Sequence, residues 1–141
     1  MPLTMEELLA EAHAREKLKP PRRHPHDEEH RLQCACVRWF RYQYPELTSL
    51  LFAVPNGGRR DATTAAKLKA EGVVAGVSDL ILLVKRGGYG GLLIEMKTDK
   101  GRQSPEQKAW QKEVERQGYL YKVCRNLDDF IAIIREYLSQ D

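Results

Sequence analysis

Long apolar runs are missing from this 141-residue chain. None approaches the roughly 20 apolar residues of a membrane-spanning helix. The first residues, Met1-Pro2-Leu3-Thr4-Met5-Glu6-Glu7, lack the basic-then-apolar order of a secretory leader. A cytoplasmic protein without membrane contact is expected. Cysteine is scarce: Cys34, Cys36 and Cys124 are an odd number with no Cys-x-x-Cys. That argues against a disulfide framework and predicts reduced, buried thiols. His24, His26, His30, Cys34 and Cys36 cluster in sequence. Pro25 and Asp27 place the following helix start after His26, so the spacing of a closed zinc site is not expected. There is no Gly-x-Gly-x-x-Gly and no phosphate loop ending in Lys-Ser or Lys-Thr. No internal repeat or low-complexity tract is visible. Strong charge of one sign is lacking too: the net charge is +3, which neither demands nor excludes nucleic acid.

What is present is an ordinary globular composition, 42% hydrophobic and 30% charged, at a length that suits one compact domain. Two apolar strands stand out. Gly91-Leu92-Leu93-Ile94-Glu95-Met96-Lys97 reads as a buried strand that turns polar at its end. Side chains alternate across a strand, so Glu95 and Lys97 project to one face. Upstream, Val77-Ser78-Asp79-Leu80-Ile81-Leu82-Leu83-Val84 is a second apolar strand with one acid near its start. Lys85-Arg86-Gly87-Gly88-Tyr89-Gly90 between them predicts an antiparallel hairpin that brings Asp79 and Glu95 to the same depth. Two close carboxylates repel, and a Mg²⁺ or Mn²⁺ ion relieves that repulsion through hard oxygen ligands. Such an ion bridged to a phosphate stabilises the charge built up during attack on phosphorus. Lys97 would orient the attacking water or stabilise the transition state. A surface salt bridge on an edge strand is the bland alternative; the apolar run before the pair and the second acid opposite argue against it.

The remaining chain supplies helices and further strands. Residues 1–26 read as an arm: a polar helix over 3–19, then Pro20-Pro21 and Pro25 as breaks. Residues 27–141 read as the main domain. Asp27 is expected to cap a helix to about Tyr44, with Leu32, Cys36, Trp39 and Phe40 on its inner stripe. Glu28 and Glu29 both fall at helical spacing from that stripe, and periodicity does not choose between them. Leu50–Val54 predicts a short buried strand. Pro55-Asn56-Gly57-Gly58-Arg59-Arg60 is a turn with two cations, read as a loop beside DNA. Asp61–Glu71 predicts a helix stopped by Gly72. Ser104-Pro105-Glu106-Gln107 opens another, in which Gln107 is either the reciprocal partner of a capping box or an active-site amide. A strand over Tyr119–Cys124 and a helix capped by Asn126, with Leu127, Phe130, Ile131, Ile134 and Leu138 on one side, complete the chain. The order is αβαββαβα, an α/β fold with a mixed sheet of about four strands and helices on both faces.

Asp79 followed by Glu95-Met96-Lys97 resembles the Asp…Glu-x-Lys signature of the PD-(D/E)XK nuclease superfamily. More closely, the chain resembles VRR-NUC (virus-type replication-repair nuclease) domains. The resemblance rests on Glu29-x-x-x-Gln33, Pro55-Asn56-Gly57-Gly58 with Arg59-Arg60, and Lys69 through Asp79. Gly91 through Lys97, Ser104-Pro105-Glu106-Gln107 and Gly118-Tyr119 follow in order. It implies a restriction-endonuclease-like fold and a metal-dependent DNA endonuclease of bacterial or phage-infected cells. Asp79, Glu95, the Met96 backbone carbonyl and Glu29 would serve Mg²⁺ or Mn²⁺, with Lys97 catalytic and Gln107 at the active centre. Asn56, Arg59, Arg60 and Lys100 are the expected DNA contacts. Similar stand-alone domains tend to be homodimers acting on branched DNA such as Holliday junctions. Ser78 departs from the family pattern, which usually has Pro before the Asp; Pro there supplies no ligand. The other function class to weigh is a nuclease-like module that binds branched DNA without cutting it.

Overall fold

The computed structural model describes residues 2–17, 25–55 and 61–141. Helix α1 spans Met5–Lys17 and helix α2 Pro25–Gln43; a 3-10 turn over Pro45–Leu50 leads into strand β1, Leu51–Ala53. Helix α3 (Ala62–Ala70), strands β2 (Leu80–Leu82) and β3 (Leu92–Met96), helix α4 (Pro105–Arg116), strand β4 (Leu120–Cys124) and helix α5 (Leu127–Leu138) follow. The four strands form one sheet in the order β1-β2-β3-β4. β1 and β2 pair antiparallel, as do β2 and β3, whereas β3 and β4 run parallel. The expected hairpin between the second and third strands is present, its turn closed by the Arg86 and Tyr89 backbones.

The registers explain where polar and apolar side chains go. Leu80 faces Ile94 and Leu82 faces Leu92 across the β2–β3 ladder. These four residues are fully buried and pack with Leu32, Cys36, Trp39 and Phe40 of α2 and Leu127, Phe130 and Ile134 of α5. That layer is the core. Burying each large aliphatic or aromatic side chain contributes roughly 1.5–3 kcal/mol. The alternate positions, Ile81, Leu93 and Glu95, point to the opposite face, toward α4. Asp79 follows the same alternation. Edge-on ring contacts of Trp39 with Tyr44 and Phe130 add directional packing to the core.

Several boundaries differ from the sequence expectation. α2 starts at Pro25 rather than Asp27, because proline suits the first helical turn, where its missing N–H costs nothing. β2 is shorter than the apolar run, although Asp79 O accepts from Val54 N and Leu83 N donates to Leu50 O, which carries the pairing one residue further each way. β1 is not buried throughout: Leu51 is, but Phe52 and Ala53 are exposed, since β1 lies at the sheet edge. Tyr137 of α5 is a core residue the apolar stripe did not show; its hydroxyl donates to Val84 O at 2.6 Å. All three cysteines are free, but Cys34 is exposed rather than buried. Its Sγ lies 3.6 Å from His30 Nε2, one helical turn back. α1 lies on α2 with Leu8 buried, and Glu11 contacts Arg38 while His13 contacts Asp128. Among the described residues no helix is long and apolar enough to cross a membrane.

Candidate active site

The polar end of β3 opens into a cleft of about 840 Å³ lined by Asp79, Glu95, Lys97, Gln107, Glu29 and the segment from Gly72 to Val77. Glu95 is 2% exposed, an unusual place for a carboxyl group. Burial, then the side-chain hydrogen bond and negative charge of Asp79, push its pKa up to about 9 against the partial relief given by Lys97; the charge of Glu29 raises it further. Lys97 Nζ lies 4.0 Å from Glu95 Oε1, as expected of alternate residues on one strand face. Asp79 is anchored at the ladder's end: its Oδ2 accepts from the Met96 backbone N–H at 2.7 Å. Asp79, Glu95 and Lys97 therefore converge, and they do so through strand register alone.

Gln107 makes the capping box and also reaches Glu95. Its Oε1 accepts from Ser104 N at 2.8 Å while Ser104 Oγ accepts from Gln107 N at 3.1 Å. With its oxygen committed to that capping box, the amide must turn its Nε2 the other way, and it donates to Glu95 Oε1 at 3.0 Å. The start of α4 is held against the acid strand by Gly76. A Cβ at position 76 would come within 2.5 Å of Glu106 O, and φ there is +87°, so only glycine fits without strain. Of the two neighbouring glutamates near the start of α2, Glu29 is half-buried and lines the cleft, whereas Glu28 is exposed.

Ser78, where the family usually has proline, is fully buried and donates its hydroxyl to Leu80 O at 3.2 Å, so a side-chain bond steadies the strand start. Lys100 is exposed on the loop after β3. Asn56, Arg59 and Arg60 lie outside the described residues. Sequence reasoning missed three residues. Tyr121 of β4 places its hydroxyl 3.5 Å from Glu95 Oε2. Gln103 donates to that hydroxyl at 3.2 Å. Arg125 donates to the backbone carbonyls of Thr98 and Gly101 at 2.7 and 2.8 Å, pinning the loop that packs on the Lys97 stem. Each acts across the parallel β3–β4 pair or from the segment beside it, so no local spacing signals them; only the correct strand pairing would.

Among the described residues, no three His, Cys, Asp or Glu side chains gather into a metal-holding group. The local donor set is the Asp79–Glu95 pair with Glu29 at the cleft wall. That set suits Mg²⁺ or Mn²⁺, which take one or two carboxylates and fill their remaining positions with water and phosphate oxygens. It does not suit zinc, whose closed sites need four nitrogen or sulfur ligands.

A mixed four-stranded sheet flanked by helices, with Asp, Glu and Lys converging at the end of its central hairpin, defines a nuclease-like α/β domain of the restriction-endonuclease-like class. The sequence matches the VRR-NUC domain family over residues 15–127. Among solved structures, a VRR_NUC domain protein is similar at 31% identity with a TM-score of 0.69, covering 79% of this chain and 88% of its own. No curated protein matches. The chain belongs to the VRR-NUC domain family.

Proposed function

We propose that this protein is a Mg²⁺- or Mn²⁺-dependent endodeoxyribonuclease that hydrolyses phosphodiester bonds, with branched DNA such as Holliday junctions as its substrate class. The observation that carries the reading is the buried Glu95 beside Asp79, held near Lys97 at the floor of an open cleft. A carboxyl group so placed is destabilised when ionised, and a divalent cation compensates it. Asp79, Glu95 and the Met96 carbonyl would hold that cation, with Glu29 tuning the site from α2. In a strand a residue's N–H and C=O point the same way, so the Met96 carbonyl shares the side on which its amide meets Asp79. When bound, the cation supplies Lewis-acid chemistry: it neutralises phosphate charge and lowers the pKa of a coordinated water.

The chain's own residues perform the rest. The Lys97 ammonium orients the attacking water and offsets the negative charge that gathers on phosphorus oxygens. Gln107 fixes one oxygen of Glu95 and leaves its other oxygen directed elsewhere. Hydrolysis forms a bond from water oxygen to phosphorus and breaks the bond to the leaving sugar oxygen. Asn56, Arg59, Arg60 and Lys100 contact the DNA backbone and set affinity rather than turnover. One such site cuts one strand, so symmetric cleavage of a junction requires a homodimer with a two-fold axis.

The test is cleavage of an end-labelled four-way junction, a flap and a linear duplex in Mg²⁺, in Mn²⁺ and in chelator. Metal-dependent cleavage of branched substrates, abolished in Glu95→Gln and in Lys97→Ala, is the expected result. Junction binding without cleavage in either metal would replace this reading with a non-catalytic binding module.

A further inference from the structure

Glu95 has two carboxyl oxygens, and they face different neighbours. Oε1 receives Gln107 Nε2 and faces Lys97. Oε2 faces the hydroxyl of Tyr121, a residue 4% exposed on the neighbouring strand β4. The ladder places it there: Tyr121 pairs with Leu93 and Val123 with Glu95, so Tyr121 rises on the α4 face two residues before the Glu95 rung. Its ring is seated edge-on against Trp110 of α4, with centroids 6.2 Å apart.

The direction of the hydrogen bonds is fixed from outside the site. Gln103 Nε2 donates to Gln111 Oε1 at 2.9 Å and to the Tyr121 hydroxyl at 3.2 Å. An amide nitrogen only donates, so the tyrosine oxygen accepts there and its own proton is left for Glu95. The polar chain therefore runs from Gln103 through Tyr121 to Glu95 Oε2, while a second runs from the Ser104 cap through Gln107 to Oε1. A donor at 3.0 Å on Oε1 and a hydroxyl 3.5 Å from Oε2 both bear on the orientation of the carboxyl group. A carboxylate that must present a lone pair to a cation depends on this kind of support, and losing it commonly weakens metal affinity or activity 10–100-fold.

We infer that Tyr121, oriented by Gln103, is a positioning residue that sets the carboxylate of Glu95 for divalent-cation binding. This rests on the proposed cation site but assigns a role to two residues that the Asp…Glu-x-Lys pattern does not include. Neither touches the scissile phosphate; both act through Glu95.

The experiment is calorimetric titration of Mn²⁺ into the full chain, in wild type and in Tyr121→Phe, Gln103→Ala, the double variant and Glu95→Gln. Tyr121→Phe keeps the ring against Trp110 and deletes only the hydroxyl. It is expected to weaken Mn²⁺ binding on the order of tenfold, with a raised Mn²⁺ requirement for cleavage. Gln103→Ala should weaken binding less, and should add almost nothing in the Tyr121→Phe background, because both act through one hydroxyl. A merely structural pair would leave Mn²⁺ affinity unchanged. Wild-type affinity in Tyr121→Phe, or additive losses in the double variant, overturns the inference. If Tyr121→Phe does not fold, Gln103→Ala decides: unchanged affinity refutes the role. If wild type binds no Mn²⁺ and matches Glu95→Gln, the nuclease reading itself fails, and this inference falls with it.

Discussion

Glu95 is the residue on which chemistry and stability meet. Its carboxyl is raised from the ordinary 4.5 to about 9 in the fold. Between those values the folded state holds a proton that the unfolded chain has released, so stability falls as pH rises through that window. One such proton gives a slope of up to about 1.4 kcal/mol per pH unit. Melting in chelator from pH 5 to pH 9 should therefore show wild type losing stability that Glu95→Gln retains. Parallel curves would mean that Glu95 is ionised in the fold. Cation binding must displace the same proton, so Mn²⁺ affinity should rise with pH across the window. Asp79→Asn and Glu95→Gln should each abolish cleavage and leave junction affinity within about twofold, because phosphate contacts dominate affinity. Equal loss of binding and turnover would assign the acids to the fold instead. The acid pair and lysine were legible in the sequence because period-two alternation and a short hairpin suffice to unite them. Tyr121 and Gln103 were not, since a tyrosine in an apolar strand looks like any other core aromatic until β4 is known to run parallel beside β3.

At the scale of elements, α4 joins helix capping to the site. The Ser104–Gln107 capping box was legible as a spacing of three, and the sequence offered cap and site as rivals. The amide has two ends, so the helix start that satisfies the backbone also aims a donor at Glu95. Gln107→Glu separates these functions. A carboxylate still accepts from Ser104 N, so the melting temperature should stay near wild type. It cannot donate to Glu95 and adds a like charge there, so cleavage should fall by about tenfold or more. Gln107→Ala should lose both side-chain contacts, at a stability cost of about 1 kcal/mol for the bond to Ser104 N. Gly76 fixes how closely α4 approaches the hairpin. Gly76→Ala meets the Glu106 carbonyl in a left-handed conformation, and a loss on the order of 1–3 kcal/mol is expected in denaturant titration. A neutral result would show that α4 can retreat without consequence. In the sequence Gly76 is only one residue of the Lys69–Asp79 segment; its neighbour across the cleft was not legible, because that contact joins segments thirty residues apart.

For the whole molecule, the αβαββαβα order of residues 27–141 was legible because its last three helices carry start or stop signals: Asp61, Ser104 and Asn126 act as caps, and Gly72 follows α3 with a positive φ. Strand order came less easily. The hairpin is a local signal, but the parallel β3–β4 pair depends on α4 crossing over, and only packing fixes that. Helix α1 had too few large apolar residues to announce a packed element, yet Leu8 is buried, with Met5, Leu9 and Ala12 packed against the core. On the nuclease reading, Arg59 and Arg60 act at this scale, through the protein's field on DNA. Their double alanine variant should flatten the slope of log affinity against log salt by about two, each phosphate contact contributing about 0.9. An unchanged slope would remove them from the interface.

On the proposed function, Asp79 and Glu95 jointly hold one divalent cation. Anomalous scattering from crystals soaked in Mn²⁺ would locate that ion. A single strong peak is expected between the two carboxylates, within about 2.0–2.3 Å of an oxygen from each, and it should disappear in Glu95→Gln. A peak bound elsewhere, or none at saturating Mn²⁺, would contradict it.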